Sequence, residues 1–451
     1  MREKRILYGI LALAVFFLLA NPVMVNAKSN EQVLDGYSYD PGQNNPAFHP
    51  EIDSIGSNVV AVYAKETDTY DSNYGGYLPN IKIAISANSG VNWNLREWVC
   101  DGTHNKIRDY PDVHVVDDYT ESGGGDERII VVWQEKPSDD STDWVIKARE
   151  RTGFGINDPW LDIHTVSIED NEADKYPKID TYGQGGDDPK TYWNVVWQHY
   201  EVSAGSWSIQ LDTYKKDSNG ASWMQNDQYI KYPSDSNEEY THPAIACNYE
   251  DSYSCEVHIV YDSYDISDDP DYSIEVTTGK IIYSQPNHIY SSYNPPRTVT
   301  IDSASSDSDI GYPDITSRLP DSNSHVCIVW RKSGVPNNQV LFSESFDSGQ
   351  TYQSFSTVTS TSGPSESLRC VAIAIDEQNG NKISVVWTDD DDIYYRNRTN
   401  SNWLPSKQWT NSNDNTEDFV DVSIYQPFDS PTYSHVCWQK NTRTVYYARD
   451  P

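Results

Sequence analysis

Apolar and polar positions alternate along this chain in short runs, each bounded by Asn, Asp, Gly, Ser or Pro, which is the period of a half-buried strand. Beyond residue 27 no stretch keeps the period of an amphipathic helix, so an all-β chain is predicted. One phrase recurs. A strand opens with an aromatic residue or His, then Pro, any residue, and Ile or Val: His49-Pro50-Glu51-Ile52, Tyr110-Pro111-Asp112-Val113, Tyr176-Pro177-Lys178-Ile179, His242-Pro243-Ala244-Ile245 and Tyr312-Pro313-Asp314-Ile315. Leu368-Arg369-Cys370-Val371 and Phe419-Val420-Asp421-Val422 are looser copies. An apolar run follows each opening and ends at Tyr63, Trp133, Trp197, Tyr261, Trp330, Trp387 or Trp438. Seven such pairs, recurring at intervals of roughly 50–70 residues, signal a circular or stacked repeat.

Each repeat holds four strand-like runs. In the fifth these are Asp314–Arg318, Val326–Trp330, Val340–Ser345 and Thr351–Val358. Short turns between consecutive strands make each repeat an antiparallel four-stranded sheet, and radial packing about an axis lets seven sheets bury their faces. The expected fold is a seven-bladed β-propeller, with the Trp of each second strand packed between blades. The seventh repeat has only three strands, Val420–Tyr425, His435–Gln439 and Val445–Arg449. The stretch Asn30 to Asp40, within an N-terminal segment 28–45, is predicted to supply the missing outer strand and close the ring. Residues 28–451 are thus one domain.

Met1–Ala27 reads as a secretory signal peptide: Arg2, Lys4 and Arg5 precede the apolar run Ile6–Ala20, and Val25-Asn26-Ala27 offers small residues for cleavage. The expected location is secreted or cell-surface, with no membrane span in the mature chain. The full chain carries 33 basic and 68 acidic residues. Without the leader 30 and 67 remain, a net charge of −37. Such a surface repels nucleic acid and anionic lipid and suits cations, basic partners or a salty medium. Apolar content is only 37%, and 33 Tyr and 14 Trp make up the shortfall in core area. Six cysteines in an exported chain are compatible with disulfides. Cys247 and Cys255 flank one hairpin turn and are the expected bridge; Cys100, Cys327, Cys370 and Cys437 allow three pairings. No Cys-x-x-Cys spacing points to a structural zinc site.

The turn between third and fourth strands is distinctive in two repeats: Ser86-Ala87-Asn88-Ser89-Gly90-Val91-Asn92-Trp93 and Ser345-Phe346-Asp347-Ser348-Gly349-Gln350-Thr351-Tyr352. Asp217-Ser218-Asn219-Gly220-Ala221-Ser222-Trp223 keeps the second half. These turns resemble the Asp-box of sialidase-like (BNR-repeat) β-propellers. Asp or Asn folds back onto the turn amides, Gly takes a positive φ and the aromatic pins the hairpin. The resemblance implies a propeller over about residues 45–451, with the boxes on the face away from any active site. It does not extend to catalysis: where sialidases carry a Phe-Arg-Ile-Pro motif this chain reads Phe48-His49-Pro50-Glu51, and no motif assigns Arg108, Arg331 or Arg369 to a carboxylate-binding triad.

Strand alternation puts the repeated openings and most acidic loops on the face opposite the box turns. Those loops include Glu169–Asp174, Ser234–Glu239, Ser306–Asp309, Asp414–Asp418, Asp139-Asp140, Asp268–Asp271 and Asp389–Asp392. Clustered carboxylates are what hard cations require, and Asp389, Asp390, Asp391 and Asp392 are the candidate calcium ligands. The channel mouth is expected to be ringed by His49, Glu51, Asp112, Lys178, His242, Asp314, Arg369 and Asp421, either as a ligand site or as polar residues around a wet channel. Glu51, Asp112, Asp314 and Asp421 can include an acid–base pair for a glycosidic bond. The chain has no Ser-nucleophile elbow, phosphate loop or His-Glu-x-x-His pattern, which argues against those chemistries, and Asn397-Arg398-Thr399 is a sequon. The leading expectation is a non-catalytic extracellular binding or scaffold propeller for glycan or protein ligands, with calcium as the one cofactor considered. A carbohydrate-active, sialidase-like hydrolase is the alternative, and a structural cell-envelope component a third class.

Overall fold

A computed structural model describes residues 32–35, 46–72, 76–100, 106–118, 126–137, 143–168, 172–184, 190–217, 220–223, 227–251, 254–265, 271–282, 289–290, 297–304, 308–318, 324–334, 337–361, 368–376, 382–389, 392–410, 417–425, 432–440 and 444–450. Seven antiparallel sheets follow one another along the chain, and among the described residues there is no helix. The first blade runs Ala47–Ile55, Asn58–Asp71, Gly76–Ser86, Leu95–Trp98 in that spatial order. The fifth is Ser308–Arg318, His325–Gly334, Asn338–Ser345 and Ser356–Thr361: the first three contain the runs read from sequence, while the fourth starts at Ser356 rather than Thr351, because Thr351 still belongs to the box turn through its bond to Asp347. In the third, fourth and sixth blades the outer strand is broken into two pieces that both pair with the third strand.

Alternation gives each blade two apolar faces, and the core accordingly divides into seven clusters, one per interface between neighbouring blades. The residues ending the second strands lie at their centres: Tyr63, Trp133, Trp197, Tyr261, Trp330, Trp387 and Trp438 are all at most 1% exposed. Each such ring stabilises the ring of blades by about 2–3 kcal/mol through burial. Their role is packing, as the sequence implies.

The ring closes as predicted. Gln32–Asp35 pairs antiparallel with Thr444–Asp450 and is the outer strand of the seventh blade, beside Tyr433–Lys440 and Glu417–Tyr425. Leu34 is fully buried in the cluster joining blades seven and one. The two box-like turns fold alike. Ser86 Oγ donates to Asn88 Oδ1 (2.9 Å) and accepts from Gly90 N–H (2.9 Å), while Asn88 Oδ1 accepts from Asn92 N–H (2.8 Å). Ser345, Asp347, Gly349 and Thr351 repeat those bonds at 2.7, 2.9 and 2.8 Å. Two residues, not one, take positive φ in each turn: Ser89 and Gly90, Ser348 and Gly349. Gly90 lies against Tyr447, so this turn also seals the seam between first and last blades. In the third copy Asp217 pairs with Gly220 across the turn; Ser218 and Asn219, and the whole leader Met1–Ala27, lie outside the described residues.

The expected Cys247–Cys255 bridge is not formed; all six cysteines are free thiols. The register explains it. Cys247 faces Val257 and Cys255 faces Tyr249 across the hairpin, a diagonal relation rather than a direct one. The Asn194 amide instead approaches both sulfurs, at 3.3 and 4.0 Å.

Candidate binding site at the channel mouth

The repeated opening phrase builds the site. In six blades the opener has a left-handed backbone: His49, Tyr110, Tyr176, His242, Tyr312 and Phe419 take φ of 50°, 47°, 53°, 47°, 54° and 46°. Each sits at a bulge in the inner-strand ladder. The conformation costs about 1–2 kcal/mol per residue and turns the rings inward. A second repeated element holds some of them in place. The Gln that follows a buried Trp accepts the opener's N–H in the next blade: Gln439 from His49 (3.1 Å), Gln134 from Tyr176 (3.0 Å) and Gln198 from His242 (3.3 Å). The rings form a collar. His49 stacks on Tyr110 at 3.8 Å, Tyr110 meets Tyr176 edge-on at 4.5 Å, His242 lies 4.3 Å from Tyr312, and Phe419 meets His49 at 4.3 Å.

The sixth blade breaks the collar, although Arg369 lines the mouth as expected. The ladder pairs Val371 with Trp387 as it pairs Val420 with Trp438, so the phrase begins at Cys370, not Leu368. Ala372 occupies the place equivalent to Glu51, and Arg369 stands at the edge of the mouth beside the gap. Without Pro or an aromatic residue, nothing in the sequence marks this register. Arg331 reaches the same edge, over the Tyr312 ring at 4.4 Å and 2.7 Å from Asp309.

Inside the collar is a cavity of about 410 Å³, floored by Glu51, Lys178, Asp314 and Asp421. Below it a constriction of about 120 Å³ adds Asp112, and a second cavity of about 400 Å³ opens at the far end around Asp53, His114 and Asp180. The structure thus brings His49, Glu51, Asp112, Lys178, His242, Asp314, Arg369 and Asp421 to one channel, Arg369 at its edge. His49 and His242 belong to the collar and are held by carboxylates, Nδ1 of His49 at 2.6 Å from Asp109 and Nδ1 of His242 at 3.1 Å from Asp262. Burial pulls His242 down, but Asp262 outweighs it and the ring titrates above its ordinary value.

Three of the four carboxylates carry a structural duty that the sequence hides. Inner strands are edge strands, with N–H groups facing the channel. Asp421 Oδ2 accepts from Ile52 (2.7 Å), Asp112 Oδ2 from Ile179 (2.7 Å) and Asp314 Oδ2 from Ile373 (2.8 Å), each in the next blade round the ring. Lower down Asp53 does the same for Val115 and Asp180 for Cys247. Between those two aspartates sits His114, 3.4 Å from Asp53 and 3.2 Å from Asp180.

Glu51 differs. It reaches across the channel to Lys178, with Oε1 2.6 Å from Nζ; Asp112 Oδ1 lies 3.8 Å from the same nitrogen. One ammonium therefore serves four carboxyls. Burial raises Glu51 well above the usual carboxylate range, Lys178 opposes this, and Asp421 and Asp112 add to it. Burial likewise raises Asp112 and Asp421 against the pull of Lys178, and lifts Asp314 to about 6. Burial would lower Lys178, but Asp112, Glu51 and Asp421 hold it charged well above its ordinary range. The floor thus gathers four carboxyls that burial raises and one ammonium opposes.

The candidate calcium acids fare otherwise. Asp389 and Asp392 face each other at the end of a hairpin, and Asp390 and Asp391 lie outside the described residues. Asp389 is buried, while Asp392 accepts from Gln408 Nε2 (2.6 Å) and Thr410 Oγ1 (3.2 Å). Among the described residues two groups have metal-ligand geometry, His325–Cys327–Glu344 and Glu172–His199–Glu201, and neither includes these acids. Sequence spacing reveals neither, because their members meet across strands rather than along the chain.

No family model matches this chain, and no curated protein does. Among solved structures it is similar to a Trypanosoma rangeli sialidase in complex with sialic acid, at 14% identity and a TM-score of 0.39, over 95% of this chain and 58% of that one. It is similar to a GH93 α-L-arabinofuranosidase of Fusarium graminearum in complex with arabinobiose, at 10% identity and a TM-score of 0.46, over 80% and 92%. A family 117 glycoside hydrolase from Zobellia galactanivorans follows at 13% identity and a TM-score of 0.30, over 61% and 75%. The chain spans somewhat over half the length of the sialidase. No functional residue passes across likenesses of this kind.

Proposed function

We propose that this chain is an exported, carbohydrate-active propeller that admits a saccharide at the collared mouth and hydrolyses a glycosidic bond there. One observation carries the reading: a set of carboxyls that burial raises to different degrees lies at the floor of an aromatic-walled cavity large enough for a sugar unit. Glycoside hydrolysis needs a carboxylic acid that keeps its proton near neutral pH and a carboxylate that does not. Glu51 is the acid in this reading: burial and the neighbouring Asp421 and Asp112 raise it well above the usual carboxylate range against the pull of Lys178. Asp314 is the ionised partner, its two oxygens fixed by the Ile315 and Ile373 N–H groups. The collar rings offer apolar faces for the sugar, and Arg331 and Arg369 edge the gap where a substituent projects.

Binding without turnover is the second reading, favoured by the backbone bonds that already occupy Asp112, Asp314 and Asp421. One experiment separates the two. The secreted protein is incubated with a panel of aryl glycosides and polysaccharides, and both product and bound ligand are measured. Turnover lost in Glu51→Gln and Asp314→Asn, with ligand still retained by Glu51→Gln, supports hydrolysis. Retention with no turnover of any substrate supports binding alone. Neither retention nor turnover across the panel would remove the mouth as a saccharide site. Recovery of a chain beginning at Lys28 from the medium would support export.

A further inference from the structure

We infer that the third blade carries a site for one divalent transition-metal ion, held by Glu172, His199 and Glu201, on the mouth face outside the collar. The fold creates it from one hairpin. Asp174 pairs with His199 and Ala173 with Tyr200 across the two inner strands, so Glu172, Asp174, His199 and Glu201 fall on one face of the blade. His199 is 2% exposed and fixed in orientation: Nδ1 lies 2.7 Å from Asp174 Oδ1. Asp174 is itself 1% exposed and held by Trp197 Nε1 at 3.0 Å.

That bond puts the imidazole proton on Nδ1 and leaves Nε2 as an acceptor. Yet Nε2 points at two further acceptors, Glu172 Oε2 at 2.8 Å and Glu201 Oε1 at 3.3 Å. Three lone-pair donors converge, and a cation between them resolves the conflict. The separations suit a metal. With bond lengths near 2.0–2.2 Å, neighbouring ligand atoms lie about 2.8–3.1 Å apart in octahedral and about 3.3–3.6 Å apart in tetrahedral geometry. A carboxylate behind the ligating His is the usual supporting arrangement for such sites. The glutamates are steadied too: Val202 N–H donates to Glu172 Oε1 (3.0 Å) and Tyr229 Oη to Glu201 Oε1 (2.5 Å). Glu172 keeps partial exposure, which gives the ion a path and leaves room for water. One nitrogen with carboxylate oxygens favours Zn²⁺ or Mn²⁺ over Ca²⁺. The other group, His325–Cys327–Glu344, is not comparable, because Arg398 already binds both oxygens of Glu344 at 2.6 Å.

The competing account is an imidazolium, with a proton where the ion would sit, and the two make opposite forecasts. Chelator-stripped protein is dialysed against excess Zn²⁺, then against metal-free buffer, and bound zinc is measured by mass spectrometry. Co²⁺ substitution supplies a visible spectrum as a second readout. The expected result is one tightly held equivalent and a raised melting midpoint. Glu172→Gln should lose at least tenfold in affinity, and Asp174→Asn should lose roughly 10–100-fold through misorientation of His199. Glu172 is partly exposed, so its variant should match the stripped parent in circular dichroism and melting, which excludes misfolding as the cause. Cys327→Ser should bind as the parent does. Zinc retention equal in parent and Glu172→Gln, or no retention by the parent, overturns the site and leaves the imidazolium.

Discussion

Asp314→Asn should flatten the dependence of stability on pH between 4 and 8. In the folded protein burial raises this carboxyl from its ordinary 3.8 to about 6, against the pull of Lys178 and of the Ile373 and Ile315 N–H groups. The native state therefore keeps a proton that the unfolded chain has already released. Stability from this group is fully present below about pH 3.8 and is lost as pH rises through about 6. A shift of about two units, at about 1.4 kcal/mol each, makes the loss about 3 kcal/mol. Asn does not titrate, so the unfolding free energy of the variant relative to the parent should climb by that amount across the range. The amide also turns one NH₂ toward a backbone N–H that the carboxylate had satisfied, an offset of about 1–3 kcal/mol against the variant. That offset does not change with pH, so the slope carries the test. Equilibrium urea unfolding, followed by tryptophan fluorescence at unit pH steps, measures both proteins in parallel and cancels the remaining groups. A difference between variant and parent that stays level from pH 4 to 8 refutes the reasoning and makes Asp314 an ordinary surface-like carboxylate. Lys178→Met should steepen the parent's slope, because it removes the cation that holds these carboxyls down.

Three further outcomes follow from the packing. Gly205→Ala and Gly90→Ala both place alanine at a φ near +70°, but a Cβ on Gly205 meets nothing within 4 Å while one on Gly90 falls 1.7 Å from Tyr447 Oη; the first should cost about 1–2 kcal/mol and the second clearly more, and equal urea midpoints would contradict the seam between first and last blades. Arg398→Met should cost about 3–5 kcal/mol at neutral pH by stranding Glu344. Burial opposes ionisation of that carboxylate, but His325 and Arg398 hold it at about 2; its stabilisation is present above about pH 4.5 and fades as pH falls toward 2, so the penalty should shrink in acid denaturation midpoints. Asp347→Ala should lose about 1–2 kcal/mol by removing bonds from Ser345 and Thr351, whereas Asp347→Asn should stay within about 0.5 kcal/mol, because Asn88 serves the same turn in the first blade; thermal melts of the pair decide it.

What was legible in the sequence was whatever the chain repeats. The opener phrase and the buried Trp recur because every blade solves the same packing problem, so a missing fourth strand in the last blade could be matched to a spare segment near the N-terminus before any coordinates. Where one copy loses its markers the register is lost with it: the sixth phrase reads from Leu368 in sequence, whereas the ladder starts it at Cys370. The meaning of the channel carboxylates was hidden for another reason. A sequence shows that Asp112, Asp314 and Asp421 recur at the third position of the phrase, but not that the next blade turns an unpaired N–H toward each of them. Glu51 and Lys178 occupy that same position and bond to each other instead. The functional contrast within the ring is thus a contrast between carboxyls that close the fold and one that faces a cation across it. The metal-type cluster follows the same logic one level out. Glu172 and Asp174 precede His199 and Glu201 by more than a full strand, and only the hairpin register puts them on one face. Two-residue spacings on both strands, Glu-x-Asp against His-x-Glu, were the available signal. Reading them required pairing strands before looking for ligands, since a β-sheet assembles its chemistry across the ladder rather than along the chain.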